Sequence, residues 1–387
     1  MEGPRLASLL EAVAYQAHAA ERRVISEEHL ISAAVGFAAP EKLAAIVRPS
    51  FTGSPEVGHY VQVLRGGHAG LHGVIEREDA TELPFCVRVD LATGSTRSEW
   101  LARDDVQSTG LEGKEAFEQA YGADARSAAL RRAASELPMS MRKALQAVRE
   151  RVVDGRLPLL SLLQADPLEL QFSHLSFQEF FTARATCSGH YKLPAGAAEP
   201  WRWSAWWSNT LRLGQELGTD FGRGLLHGSR ALDGRLNLSG AIAGHRPTAM
   251  AAVLALSYAA PSCGLSQNSL SSPEIHALAE ALSLNSVLVH LDLSKNALKD
   301  DGGAMLLEAV ARGGSRSLAS LRLVACSLGS QSARRLAACV QHSPSLSCIA
   351  LQMNALTSHG RDYDGVLALA TALGASPSVT SIDLRFN

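Results

Sequence analysis

The stretch LQFSHLSFQEFFTARA, residues 170–185, sets one histidine, His174, among four phenylalanines. An imidazole titrates near neutral pH and can serve as a base, a proton carrier or an anion contact. A strand-to-helix junction is expected here, which places His174 near backbone N–H groups that help hold an anion. The same position suits a histidine that only completes the packing. Ser176 and Glu179 have the S-x-x-E spacing of a capping box, which predicts a helix from Phe177. Phe177, Phe180 and Phe181 then share one face and are expected to pack inward, with Phe172 in the preceding strand.

Other residues raise other chemistries. Six cysteines are scattered without a C-x-x-C pair or histidines at zinc-ligand spacing, so they read as reduced, buried thiols and no metal is expected. TGLEGKEA, residues 109–116, approaches a phosphate loop, but that motif would need Gly in place of Ser108 and Ser or Thr in place of Glu115. Gly67, Gly70 and Gly73 read as glycines between short strands. The loop SHGRDYDG brings together His359, Asp362 and Asp364, either as an acid–base set or as a solvated loop. Trp201, Trp203, Trp206 and Trp207 read either as a cage for a cation or as a packed seam between helices. No carboxylate pair, Ser-His-Asp set, H-E-x-x-H or Gly-rich phosphate loop stands out, so a non-catalytic chain with no cofactor of its own is expected.

The elements that must position these residues can be read from pattern. With 387 residues, 46% hydrophobic and 19% charged, the chain can bury cores for two or three domains. A formal charge of −2 provides no bulk attraction to nucleic acid or an anionic membrane. The absence of a long apolar run in the sequence predicts a cytoplasmic protein.

Residues 288–298, 318–328, 346–356 and 379–387 align on the template L-x-x-L-x-L-x-x-N/C-x-L. CGLSQNSL and LNLSG supply weaker fifth and sixth copies. Asn268, Asn296, Cys326, Asn354 and Asn387 therefore recur at spacings of 28, 30, 28 and 33 residues, with amphipathic helical stretches between them. Each unit is one short strand and one helix, which cannot bury its apolar face alone, so the units are expected to stack into a solenoid. The pattern matches the leucine-rich repeat, and its period resembles the ribonuclease-inhibitor-like class. The slot asparagine is expected to turn inward and satisfy backbone groups. The last copy stops at its own asparagine, which reads as a fragment or a frayed end. Strand alternation sends Leu291 and Leu293 inward and His290, Asp292 and Ser294 outward; the equivalent outward sets are Ser320, Arg322 and Val324, then Cys348, Ala350 and Gln352, then Ser381, Asp383 and Arg385. Asp292 and Arg322 are expected to pair. This face, with His290, Asp292, Ser294, Ser320, Arg322, Val324, Gln352, Asp383 and Arg385, is the expected contact for a protein partner or ligand.

Near the start, Leu9, Leu10, Val13, Ala14 and Ala17 have helical spacing, and Ser26 precedes a second helix as its cap. A later helix ending at Gly155 and a hairpin around QADP complete a winged-helix pattern. DNA binding is disfavoured because EEHLISAAVGF is acidic and then apolar. Between the two halves, residues 59–106 alternate in short runs broken by glycine and proline, which suggests a small SH3-like β-barrel with Trp100 in its core or in a ligand groove. The expected fold is a multi-domain α/β chain: residues 1–50 and 111–190 winged-helix-like, 51–110 an inserted barrel, 191–235 a helical linker and 236–387 leucine-rich repeats.

FSHLSFQEFFTARA resembles the F-x-H-x-[ST]-F-Q-E-[FY]-x-A-A segment that closes the winged-helix domain of NACHT-type NOD-like receptors. In that family a nucleotidase precedes the winged helix and leucine-rich repeats end the chain. The resemblance implies that His174 contacts the β-phosphate of ADP, supplied by an upstream nucleotidase domain in a longer chain. It also implies a recognition role in innate immune signalling through the repeats. Two departures stand against it: no Walker motif occurs in this sequence, and the inserted barrel is not part of the usual receptor. The alternative is a repeat-containing regulator of a small GTPase, which would act without a nucleotide site of its own.

Overall fold

The computed structural model describes residues 3–47, 51, 53–65, 68–91, 93–189, 199–229, 234–242, 246–312 and 317–387. The chain divides into two compact units, residues 1–13 with 24–171 and residues 14–23 with 172–387. Its elements in chain order are α1 (Gly3–Ala19), β1 (Ile25–Ser26), α2 (Glu27–Ala38), α3 (Pro40–Val47), β2 (His59–Val63), β3 (His72–Glu78), β4 (Phe85–Asp90), β5 (Thr96–Leu101), β6 (Val106–Glu112), α4 (Gly113–Tyr121), α5 (Ala123–Ser135), α6 (Met139–Val153), β7 (Leu160–Ala165) and β8 (Leu168–Phe172). The chain continues through α7 (Leu175–Cys187), α8 (Ser208–Glu216), α9 (Thr219–Gly228), β9 (Arg235–Asn237), α10 (Arg246–Ser257), β10 (Ser262–Gly264), α11 (Ser272–Leu284), β11 (His290–Asp292), α12 (Lys299–Ala311), β12 (Ser320–Arg322), α13 (Ser330–His342), β13 (Cys348–Ala350), α14 (Asp364–Ala375) and β14 (Ser381–Asp383). Among the described residues no helix is long and apolar enough to cross a membrane.

In the first unit, α2 starts where its cap predicts. The Ser26 hydroxyl accepts the His29 N–H at 3.4 Å, and His29 Nδ1 accepts the Ser26 N–H at 3.1 Å, so a histidine closes the box in place of the usual glutamate. Met141, Ala144, Val148 and Val152 bury one stripe of α6, and α2 packs on both α5 and α6. Strands β7 and β8 form the hairpin around residues 166–167, and β1 adds to β8 with Ile25 opposite Leu170, giving the order β1-β8-β7.

The stretch between α3 and α4 forms an antiparallel sheet of order β5-β4-β3-β2-β6. Val61, Val63, Ile75, Phe85, Val87, Val89, Leu101 and Val106 form its core. The edges β5 and β6 do not pair with each other, so the sheet is open where a closed barrel was expected. Gly73 lies where β3 meets β4 so closely that a Cβ would approach the Arg88 carbonyl oxygen at 2.5 Å, which explains that glycine; Gly67 lies outside the described residues. Trp100 is not in the core: it is 39% exposed, with the Arg77 guanidinium 5.9 Å from its ring centroid.

In the second unit, six parallel strands run in sequence order from β9 to β14, with a helix between each successive pair. The register aligns Leu236, Cys263, Leu291, Leu321, Ile349 and Ile382 across the sheet. The first five are at most 2% exposed, and each buried Leu or Ile among them contributes roughly 1.5–3 kcal/mol. The degenerate copy at residues 236–240 takes its place as β9. Three-residue strands cannot hold a sheet through backbone pairing alone. The turn after each strand supplies the rest. There the chain passes through a left-handed residue, namely Gly240, Gln267, Lys295, Ala325, Met353 and Phe386, all with φ between 54° and 67°. Only the first of these is glycine.

The next residue is the recurring slot. Asn268 Oδ1 accepts the Ile242 N–H at 3.1 Å, and its amide donates to the carbonyls of Leu238 and Leu265, both at 2.9 Å. Asn296 repeats this one strand along, accepting from the N–H groups of Asn268 and Leu270 and donating to Leu265 and Leu293. Asn354 does the same for Cys326, Leu328, Leu323 and Leu351. Cys326 interrupts the ladder: its thiol donates to the Leu293 carbonyl at 3.4 Å, and burial pushes its pKa up to about 11.

Removing a rung leaves buried backbone groups without partners, at about 1–3 kcal/mol each. Asn296→Ala is therefore expected to lower the unfolding free energy by roughly 2–5 kcal/mol in urea denaturation, and Asn387→Ala, at the exposed end, by less than about 1 kcal/mol. Equal losses from the two variants would contradict this account of the ladder.

Candidate functional site

His174 occupies the N-cap position of α7, in extended conformation, with no side-chain capping bond. The helix begins at Leu175, two residues before the predicted start, so Ser176 sits inside the first turn and the expected capping box does not form. Glu179 is instead buried, accepting a hydrogen bond from the Asn209 amide. The aromatic face turns inward only at Phe181, which is half-buried with its ring centroid 6.0 Å from that of Phe172. Phe177 and Phe180 are 36% and 37% exposed, while Gln178, Glu179, Thr182 and Thr186 are buried. These polar groups tolerate burial because each is bonded: Gln178 donates to the Arg22 carbonyl, and Thr182 and Thr186 donate to the carbonyls four residues earlier. Their side of the helix meets α9 at Gly224, where a Cβ would lie 1.8 Å from the Thr186 carbonyl oxygen. Phenylalanines would hold the two helices apart. His174 is exposed and stands edge-on to Phe177, ring centroids 5.7 Å apart.

The tryptophans enclose a residue that the sequence pattern did not single out. His18, in the last turn of α1, is fully buried; its ring stacks on Trp206 with centroids 5.0 Å apart and meets Trp207 edge-on at 4.6 Å. Its Nε2 lies 2.9 Å from the Thr210 hydroxyl, Nδ1 has no partner, and the Trp206 indole N–H donates to the His18 carbonyl at 3.0 Å. Trp201, Trp203 and Trp207 are 4–7% exposed. The aromatic cage is thus filled by the chain's own imidazole. Burial drives the His18 pKa down to about 4.

The remaining candidates are bonded internally. Asp362 accepts from the Ser330 hydroxyl, the Asp364 N–H and Arg334, and the first two hold its carboxyl below the ordinary range. Asp364 lies 3.8 Å from Arg334, and His359 is exposed with no counterpart in this set. Burial alone would raise the Asp300 pKa, but bonds from Ser332, Gly329 and Gln331 outweigh it and lower it; this carboxylate caps the start of α13 from the preceding repeat. Ser108 and His59 come closest to a nucleophile–base pair, with Oγ to Nδ1 at 3.0 Å and Glu56 at 4.0 Å from Nε2. Ser108 is fully buried, however, and its hydroxyl accepts the Gly110 N–H, so no substrate can reach it. Among the described residues no group of three His, Cys, Asp or Glu side chains could hold a metal ion.

The parallel sheet leaves a face open. His290, Asp292, Ser320 and Arg322 come together there, and with Arg235, Asn237, Ser239, Ser262 and Gly264 they line a groove of about 420 Å³. Asp292 and Arg322 pair at 3.4 Å as expected. Ser294 does not join them: it is 7% exposed, lies past the end of β11, and its hydroxyl accepts the Val324 N–H at 3.2 Å. Val324 is half-buried, and Ala350 is buried in the sheet. Gln352, Asp383 and Arg385 form a separate cluster, in which Arg385 holds the Asp383 carboxyl down to about 2 and the Gln352 amide donates to the same carboxylate.

No protein-family model matches the chain. A segment of 104 residues, 27% of the chain, is 36% identical to NACHT, LRR and PYD domains-containing protein 13 of Homo sapiens. The match spans 9% of that protein's length. Among solved structures, leiomodin-1 actin-binding site 2 aligns over 30% of this chain and 65% of its own at 13% identity and a TM-score of 0.27, a likeness that carries no argument. Part of this chain is thus similar in sequence to a repeat-containing protein of the NACHT class.

His18 generates a pH prediction. Its folded pKa of about 4 lies below the ordinary 6.5, so its contribution to stability is fully present above pH 6.5 and is lost as the pH falls towards 4. The loss is roughly 3 kcal/mol over that window. Unfolding free energies measured from pH 7 to 4.5 should decline in the natural chain and flatten in His18→Phe; identical slopes would show that the imidazole is not held neutral.

Proposed function

We propose that the chain is a non-catalytic interaction module, similar in plan to the C-terminal part of NACHT-type receptors, that binds a protein partner across the face of β9–β14. In this reading residues 236–387 are a leucine-rich-repeat solenoid, as the slot asparagines and the strand-helix alternation support. The order β1-β8-β7 together with α2 and α6 supports a winged helix in residues 1–50 and 111–190, with an open antiparallel sheet inserted between its two parts. The partial similarity to a NACHT, LRR and PYD protein agrees with a protein-interaction role.

One observation carries the reading. Apart from His174 and His359, which are exposed, the side chains that suggested chemistry are occupied by internal bonds or buried, whereas the sheet face keeps polar groups from four adjacent strands around one groove. A solenoid face of this kind recognises by shape and charge without a reacting group. The ADP contact that the family resemblance implies for His174 would need a nucleotidase domain supplied from outside these residues. His174 is exposed at a helix start, where the helix dipole favours an anion.

Photo-crosslinking tests the face directly. A benzophenone amino acid at Ser320, on the sheet, is expected to give discrete adducts in extract, and the same group at Met305, an exposed residue of α12, none. Adducts from Met305 with none from Ser320 would place the partner elsewhere.

A further inference from the structure

The edges of the three sheets differ in how they are closed to a further strand. Among the described residues, β1 has two residues, β9 and β14 have three each, and β6 takes a bridge from Gly53 at Ser108. Strand β5 runs for six residues but carries Arg97 and Glu99. Shortness, cover and charge are the ordinary means by which an edge avoids pairing with another chain. The β7 edge has none of them. Its sequence, LSLLQA, runs for six residues without a charge or a proline, and in its sheet it neighbours β8 alone.

The side chains of β7 point the same way. Leu160 is buried where α6 packs on the strand. Leu162 and Leu163 are 37% and 46% exposed, and neighbours along a strand point to opposite faces, so each face of the edge carries one open leucine. Gln164 and Ala165 are exposed as well. Water can satisfy the unpaired backbone of such an edge but not its leucines, whereas a strand laid alongside satisfies both.

We propose that β7 pairs with β7 of a second copy of this chain, antiparallel about a two-fold axis at Leu162. The strand is its own complement. Residues 160–164 overlap, so that Leu162 meets Leu162 of the second copy, Ser161 meets Leu163, and Leu160 meets Gln164, with no like charges opposed. The joined sheet runs β1-β8-β7-β7-β8-β1, and its outer edges are the two-residue β1, too short to carry pairing further. Association therefore stops at a dimer. A foreign segment would need the same uncharged, leucine-bearing pattern; a second copy supplies it. One strand pair is a contact at the small end of stable interfaces, so the dimer forms and dissociates with concentration. This surface is separate from the face of β9–β14 and does not depend on the partner-binding reading.

Sedimentation velocity of the intact chain, from roughly 1 to 100 μM, is expected to show monomer and dimer in exchange. Leu162→Lys and Leu162→Glu each set like charges opposite one another and should raise the dissociation constant roughly tenfold or more. Mixed in equal amounts, the two variants should dimerise again, because lysine then meets glutamate. Leu367→Lys, at a leucine of α14 that is 63% exposed, should leave the dissociation constant unchanged. Thermal melts verify that each variant folds, and should a Leu162 variant not fold, Leu163→Lys, beside the axis on the other face, decides in its place. A natural chain that stays monomeric throughout, dissociation by Leu367→Lys in place of the β7 variants, or no recovery in the mixture overturns the proposal.

Discussion

The hydrogen bonds of a few buried asparagine amides hold the repeat region together. A strand of three residues makes too few ladder bonds to fix its neighbour, and the turn after it exposes N–H and C=O groups in a place water cannot reach. An asparagine turned inward satisfies that turn and the adjacent one at once, because a single amide both accepts and donates. The left-handed residue before it aims the amide, and the leucines beneath it are buried as a consequence. The outward side chains are then spaced by the strand register, which is what turns six short segments into one surface.

Much of this was legible in the sequence because the asparagine and the leucines are chemically required and recur. The left-handed turn was not, because Lys295, Met353 and Phe386 adopt it without being glycine: the strain at each is offset by the hydrogen bonds of the next residue's amide. Alternation placed His290, Asp292, Ser320 and Arg322 correctly and failed at Ser294, since a period of two holds only inside a strand and β11 ends at Asp292. Gly264 and Arg235 were missed for opposite reasons. One offers no side chain to notice, and the other lies in the most degenerate repeat.

The second unit also shows where apolar spacing misleads. The phenylalanines of α7 have helical periodicity, yet the helix buries its threonines, Gln178 and Glu179, because close approach to Gly224 favours small, bonded side chains over large rings. His18 was hidden within an apolar stripe, and only the tertiary structure brings it between Trp206 and Trp207. The tryptophans that suggested a ligand cage are packing, two of them against the His18 imidazole.

Amide hydrogen exchange resolved to single residues tests the central claim most directly. If the asparagine ladder organises the sheet, the N–H groups of Ile242, Asn268, Leu270, Cys326 and Leu328, each bonded to an asparagine side chain, exchange among the slowest in residues 234–387. Exchange of these five at the rate of the exposed loop around His359 would contradict the account, because the strands would then be held by something other than the ladder.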